Sequence, residues 1–245
     1  MNRVTGAENS DSAWRILYKV GGAAALTIVV FTTIQIVVFV TWPPPGFQPT
    51  SDNVIRWLTL LQNNRLLGLL DLDLLMIADY ALMLLVFLAL YAALRRSGES
   101  LAAIGTTLGI VGIAVYFTSN PAFSMLSLSD QYAAATTDAQ RSTFVAAGQA
   151  ILAISQGTPF DVGYVLEGVA GLIIAAVMLR SNIFSKATAY VGVLMNMMML
   201  VPPTAGMVGL FLSLISLAPM VIWLIMVSRR LFQLGKAPYP HPVRG

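Results

Sequence analysis

The chain has 245 residues, of which 57% are hydrophobic and only 10% charged, and its mean hydropathy is +0.78. Soluble domains carry about 25% charged residues, so the composition excludes a soluble globular protein and indicates a polytopic membrane protein. The formal net charge is +3, but the basic residues are spread along predicted helix ends, so we expect no nucleic-acid partner. Cysteine is absent and His241 is the single histidine, so we predict no metal site and no cofactor.

Six apolar stretches approach the length needed to cross a membrane, since a hydrocarbon core of about 30 Å requires about 20 residues of helix. They are residues 20–42, 66–94, 101–118, 160–179, 187–201 and 206–227. We therefore predict an all-α fold with six transmembrane helices in a single domain, residues 20–234. A cytoplasmic segment, residues 1–19, precedes this domain, and a disordered cytoplasmic tail, residues 235–245, follows it.

The basic residues predict the orientation, because cytoplasmic loops carry an excess of lysine and arginine. With the amino terminus inside, eleven basic residues lie on the inner side: Arg3, Arg15, Lys19, Arg95, Arg96, Arg180, Lys186, Arg229, Arg230, Lys236 and Arg244. Only Arg56, Arg65 and Arg141 lie on the outer side. Both termini are therefore predicted to be cytoplasmic, in the cell membrane of a bacterium.

Two outer segments are predicted to contain helices that do not span. After Pro43, Pro44 and Pro45, a short helix begins with Ser51 or Asp52 as its cap and lies on the outer membrane surface. The second outer loop, residues 119–157, has apolar residues at helical spacing within 139–156. Because this stretch is too short to span, we predict an amphipathic helix on the outer face, with a re-entrant helix as the alternative.

Five of the eleven acidic residues lie in or beside two apolar stretches: Asp71, Asp73, Asp79, Asp161 and Glu167. Asp161 follows Thr158 and Pro159, so helix capping explains it. Asp71 and Asp73 fall at headgroup level, where water can solvate them. Counting at 1.5 Å per residue places Asp79 roughly 6 Å and Glu167 roughly 10 Å inside the hydrocarbon. Carboxylates at such depth usually mark function.

Three further polar residues share this depth, since Gln35, Asn196 and Ser213 each lie about seven residues below the outer end of a span. Together with Asp79 and Glu167 they predict an outward-facing polar pocket that is a ligand or proton site. If the two acids converge there, at least one is expected to hold a proton at neutral pH. The alternative is that each acid is structural and is hydrogen-bonded to a tyrosine or a backbone carbonyl.

Small residues predict close helix packing. Gly105, Gly109 and Gly112 recur in the third span, and Gly168 and Gly171 recur in the fourth. Such faces let helices approach closely. We interpret them as packing within the monomer, with a dimer contact as the alternative.

Catalytic motifs are missing from the sequence, which has no GxSxG elbow, no Walker A sequence and no histidine pair for zinc. We therefore predict that the protein is not an enzyme. The least favoured reading is an intramembrane enzyme in which Asp79, Glu167 and Asn196 oxygens bind a hard cation.

Residues 163–181, GYVLEGVAGLIIAAVMLRS, are followed by FSKATAYVG at 184–192. These segments resemble a group of bacterial six-span membrane proteins catalogued as a domain of unknown function. The resemblance covers residues 131–235 and rests on a small-residue helix, a Met-Leu-Arg-Ser exit and a Phe-Ser-Lys turn. It implies a six-span fold in the bacterial inner membrane and transfers no catalytic residue.

The leading hypothesis is therefore a non-enzymatic protein for small-solute or proton-coupled transport, binding or sensing. The alternative is a structural or accessory subunit of a larger membrane complex. The expected partners are the lipid bilayer, a small solute or proton, and a membrane protein partner or a second copy of the chain.

Overall fold

The computed structural model describes residues 14–236, and this part of the chain is all-α, as predicted. Its helices are α1 (Arg15–Thr41), α2 (Ser51–Asn63), α3 (Arg65–Asp71), α4 (Leu74–Phe117), α5 (Ala122–Ala134), α6 (Asp138–Ser155), α7 (Thr158–Arg180), α8 (Lys186–Met198) and α9 (Gly206–Lys236). The predictions for Arg3, His241, Arg244 and the end of the carboxy-terminal tail lie outside the described residues.

Four helical segments are long and apolar enough to cross a membrane: Arg15–Thr41, Leu74–Ala134, Asp138–Arg180 and Gly206–Lys236. Helices satisfy their backbone hydrogen bonds internally, which the hydrocarbon phase requires of any crossing segment. The molecule is thus an integral membrane protein.

Helix α4 is folded back on itself at Gly98, where the backbone leaves the helical conformation. A Cβ on Gly109 would lie 2.5 Å from the Phe87 ring. In a straight helix these two residues would be about 33 Å apart at 1.5 Å per residue. Residues 74–97 and 99–117 are therefore two antiparallel halves of a helical hairpin.

The apolar helices pack side by side in a closed ring. In this ring, α1 lies between α9 and the first half of α4. Gly22 of α1 accepts a hydrogen bond from the Ser228 hydroxyl of α9, at 2.7 Å. Helix α7 packs between α4 and α8, and α8 packs against α9. A Cβ on Gly105 would lie 3.2 Å from the Ala170 carbonyl oxygen, so α4 and α7 are in close contact. The prediction that the glycine faces pack within the monomer is confirmed.

The remaining helices, α2, α3, α5 and α6, form a cap over one end of this ring. The cap has its own buried core, which contains Val54, Trp57, Leu58, Leu61, Leu72, Ala122, Met125, Leu128 and Leu152. Its helices meet the bundle where α1 ends, where α4 begins and ends, and where α7 begins. We call this end of the bundle the cap end.

Helix α2, which was predicted to lie on the outer membrane surface, has its apolar face covered by protein. Trp57 is fully buried, its ring lies 5.3 Å from that of Phe47, and its Nε1 donates to the Gly46 carbonyl at 3.2 Å. Helix α2 is capped by the Thr50 side chain, not by Ser51 or Asp52. Its apolar face is covered by protein, because α5 and α6 pack against it.

The second loop contains two helices, α5 and α6, where one was predicted. Helix α6 begins with a capping box formed by Thr137 and Gln140. It packs against α2, since a Cβ on Gly148 would lie 2.5 Å from Val54 Cγ1. Its buried side joins the cap core, so it covers one end of the bundle as an amphipathic helix.

The predicted span 66–94 is broken at Leu72 and Asp73. Helix α3 ends at Asp71, and Asp73 has a positive φ of 62° in the left-handed region. Helix α4 begins at Leu74. Asp71 and Asp73 therefore belong to the cap and its junction with the bundle, and Leu72 is buried in the cap core.

Candidate functional site

An aromatic cluster occupies the cap end of the bundle. Tyr80 and Tyr116, from the two halves of α4, stack with ring centroids 3.9 Å apart. Phe160 of α7 lies 6.2 Å from Tyr116, and Tyr164 lies 6.1 Å from Phe160. The cluster therefore joins both halves of α4 to the first turns of α7.

Glu167 lies beside this cluster and is 7% exposed. Its side chain packs against the second half of α4, where a Cβ on Gly112 would lie 3.0 Å from Glu167 Cγ. Its charge lies close enough to interact with the Tyr80, Tyr116 and Tyr164 hydroxyls. Among the described residues, no group donates a hydrogen bond to its Oε1. A buried acceptor without a donor is costly, so this oxygen is poised to bind a proton or a donor group.

Asp79 lies on the other side of the cluster, between α1 and α4, and is 6% exposed. The Thr32 hydroxyl of α1 donates to its Oδ2 at 3.3 Å. Its Oδ1 accepts no hydrogen bond from residues 14–236. Tyr116 is close enough to interact with Asp79 as well as with Glu167. Both acids thus lie within electrostatic range of the same tyrosine, although no hydrogen bond within residues 14–236 joins them.

The junction with the cap brings a third acid to Tyr116. Asn120 donates its side-chain amide to the Asp73 backbone carbonyl at 3.2 Å, and the Asp73 charge lies within electrostatic range of Tyr116. Asp73, Asn120, Tyr116 and Phe160 contribute to the walls of a cavity of about 10 Å³. A cavity of that size has room for about one water molecule. A polar connection therefore leads from the cap to the tyrosines.

Burial, together with the nearby charge of Asp71, raises the pKa of Asp73 from 3.8 to about 7. A carboxyl whose pKa is raised by folding stabilises the protein in its protonated form. The contribution is fully present below the unfolded pKa of 3.8 and is lost as the pH rises through about 7.

We therefore expect the unfolding temperature to fall as the pH rises from about 4 to about 8, and D73N to show a smaller slope. Thermal unfolding followed across this range measures the effect. D52N serves as the control, because Asp52 is an exposed acid in the first turn of α2. Parallel curves for wild type and D73N would contradict the assignment.

The other three predicted site residues hydrogen-bond elsewhere. Gln35 donates to the Leu70 carbonyl at 2.8 Å. Asn196 donates to the Gly192 carbonyl at 2.7 Å, and the Ser213 hydroxyl donates to its own helix. No hydrogen bond links any of them to Asp79 or Glu167. Asp161, which lies in the first turn of α7, accepts a hydrogen bond from the Thr204 hydroxyl.

The described part of the molecule places no group of three histidine, cysteine, aspartate or glutamate residues close enough to hold a metal ion. Besides the small cavity, a larger cleft of about 500 Å³ lies between α1 and the cap. Neither is lined by any of the five predicted residues. The pocket predicted from depth alone is therefore not seen in either cavity.

Sequence reasoning missed Asp73, Tyr116, Asn120 and Thr32 as neighbours of the two acids. Asp73 was assigned to headgroup level, and its link to Asn120 spans 47 positions in sequence. The Asn-Pro pair at 120–121, directly after a predicted span, was the one available signal, since it marks a turn at the cap end.

The fold and the buried acids define a multi-pass helical membrane protein. A family model described as a domain of unknown function (DUF4386) matches residues 52–233, so the chain belongs to this family. The match begins in the cap and extends well beyond the carboxy-terminal half on which the sequence resemblance rested. No curated protein and no solved structure matches the chain.

Proposed function

We propose that the chain crosses the membrane six times, with both termini in the cytoplasm and the cap outside. The fold at Gly98 supports this count, because it divides α4 into two antiparallel halves. The charges support the orientation, because Arg56, Arg65 and Arg141 all lie on cap helices. Basic residues at the turn in α4 and at the end of α7 lie at the opposite end, as expected for a cytoplasmic face. A bacterial cytoplasmic membrane is the proposed location.

We infer that the protein takes up protons from the outer side and couples them to the binding, sensing or transport of a small solute. One observation carries this inference: Asp79 and Glu167 are buried on spanning helices within electrostatic range of Tyr116, and each has an oxygen that accepts no hydrogen bond from the described residues. Intramembrane acids of this kind act as proton relays in pumps and transporters.

The access route supports uptake from the cap end. Asp73 and Asn120 connect the cap to Tyr116. Towards the opposite end, residues 81–90 of α4 and 170–179 of α7 have no polar side chain. These two stretches therefore offer no polar side chain for a proton to follow.

A step in pH tests the proposal on protein reconstituted into vesicles on a solid-supported membrane, where displaced charge is recorded as a transient current. E167Q and D79N are each expected to lose about half of the displaced charge, because each removes one of two proton sites in the membrane field. D161N is the control, because Asp161 lies in the first turn of α7 and is bound by Thr204.

Wild-type currents from both variants, with unfolding temperatures showing an intact fold, would overturn the proposal. Co-purification of a fixed membrane partner that is required for folding would favour the accessory-subunit alternative.

A further inference from the structure

A second site lies in the cleft of about 500 Å³ between the end of α1, the proline segment and the cap. Its walls include the apolar side chains of Trp42, Pro45 and Leu60. The two charged residues that line it are Arg56 of α2 and Asp71 of α3. This cleft is separate from the proposed proton site, since neither Asp79 nor Glu167 lines it.

Asp71 is 1% exposed although it lines the cleft. No described residue donates a hydrogen bond to its Oδ1. The neighbouring carbonyl, that of Leu70, already accepts from Gln35 Nε2 of α1. Leaving the buried Asp71 oxygen without a donor is costly, so the site favours a group that carries N–H donors.

A primary ammonium group meets this requirement, because it is cationic and carries three donors. A quaternary ammonium has no N–H and cannot donate to this oxygen. The carboxyl group of Asp71 therefore discriminates between two common cationic headgroups.

Arg56 supplies the opposite charge. Its side chain is exposed and lines the same cleft, and no ion pair joins it to Asp71 among the described residues. The planar guanidinium group binds phosphate through two parallel hydrogen bonds. The cleft thus presents separate sites for an anion and for a cation, which complement a zwitterion.

The position of the cleft indicates the source of such a zwitterion. It lies at the end of the apolar helix α1, and Trp42, half exposed there, is the kind of residue that sits at headgroup level. Exposed Val37 and Val40 extend from it along α1 and offer an apolar surface for acyl chains.

We propose that this cleft binds the headgroup of a phospholipid that carries a primary ammonium, with the ammonium at Asp71 and the phosphate at Arg56. The shared chemistry is that of a phosphate ester of a primary amine, and the lipid is the source that the location favours.

Native mass spectrometry of the purified protein, loaded with phosphatidylethanolamine or phosphatidylcholine of identical acyl chains, tests the proposal. The wild-type protein is expected to retain the ethanolamine lipid about tenfold better, the effect of one charge-assisted hydrogen bond network. D71N is expected to abolish this preference, and R56Q to weaken retention of both lipids. D52N and R141Q are controls, because they change an acid and a base of the cap that do not line the cleft.

Equal retention of the two lipids by the wild-type protein, or an unchanged preference in D71N, would overturn the proposal. The comparison of the two lipids on the wild-type protein needs no variant, so it keeps the test decisive should D71N fail to fold. Soluble phosphoethanolamine that competes at the same concentration as the lipid would overturn the lipid assignment in favour of a free solute. The headgroup preference is measured without any pH step, so its failure leaves the proton-site proposal standing.

Discussion

Replacing Gly112 by leucine is expected to force α4 away from α7 and to destabilise the bundle. A Cβ at this position would lie 3.0 Å from both the Gly163 carbonyl oxygen and Glu167 Cγ. The carbonyl belongs to the backbone of α7, so the whole helix must move to make room. Overpacking of this kind costs about 1–3 kcal/mol in the free energy of unfolding. The same movement displaces Glu167 from the aromatic cluster.

Thermal unfolding in detergent measures this effect, with G112A as an intermediate and G98A as the control. A Cβ on Gly98 would meet Val177 Cγ1 at 3.5 Å, an ordinary contact, and its φ of 175° is open to any residue. We expect the unfolding temperature to fall in the order G98A, G112A, G112L. An unfolding temperature for G112L equal to that of wild type would show that α4 and α7 do not pack as described.

Most of the helical fold follows from the length of the apolar runs, because a chain in hydrocarbon must satisfy its backbone hydrogen bonds within helices. The break at Leu72 and Asp73 did not follow, because residues 66–72 are as apolar as a span. Leu72 is apolar for a different reason, since it is buried in the cap core. Apolarity alone does not distinguish a lipid neighbour from a protein neighbour.

The cap was harder to predict than the bundle, because its helices are short and bury their apolar residues against one another. Helix α5 was missed, since only Ala122, Met125, Leu128 and Ser129 of its residues are buried. Helix α2 was predicted, but the helices that pack against it were not. Which elements cover an amphipathic face is decided by contacts distant in sequence, such as the hydrogen bond from Ser129 to the Leu58 carbonyl.

For the candidate site, the depth of each polar residue in the membrane was predictable from the sequence. The direction in which its side chain points was not. Helical rise places Asp79 and Glu167 at a similar level, and both lie within electrostatic range of Tyr116 in the structure. Gln35, Asn196 and Ser213 have the expected spacing along the chain but donate to backbone carbonyls. A polar side chain in an apolar helix readily finds such an acceptor, so a shared depth does not imply a shared site.

We propose that protons reach the buried acids from the cap end. Because the chain has no cysteine, the substitution Ala139→Cys introduces a single thiol. Ala139 is exposed on the cap, so labelling this thiol with an impermeant maleimide reports which face of the protein points out of the reconstituted vesicles. An acid step is then applied to one face while the pH at the other face is held constant. We expect displaced charge when the step is applied to the cap face and none when it is applied to the opposite face. Equal charge from both faces would contradict the claim.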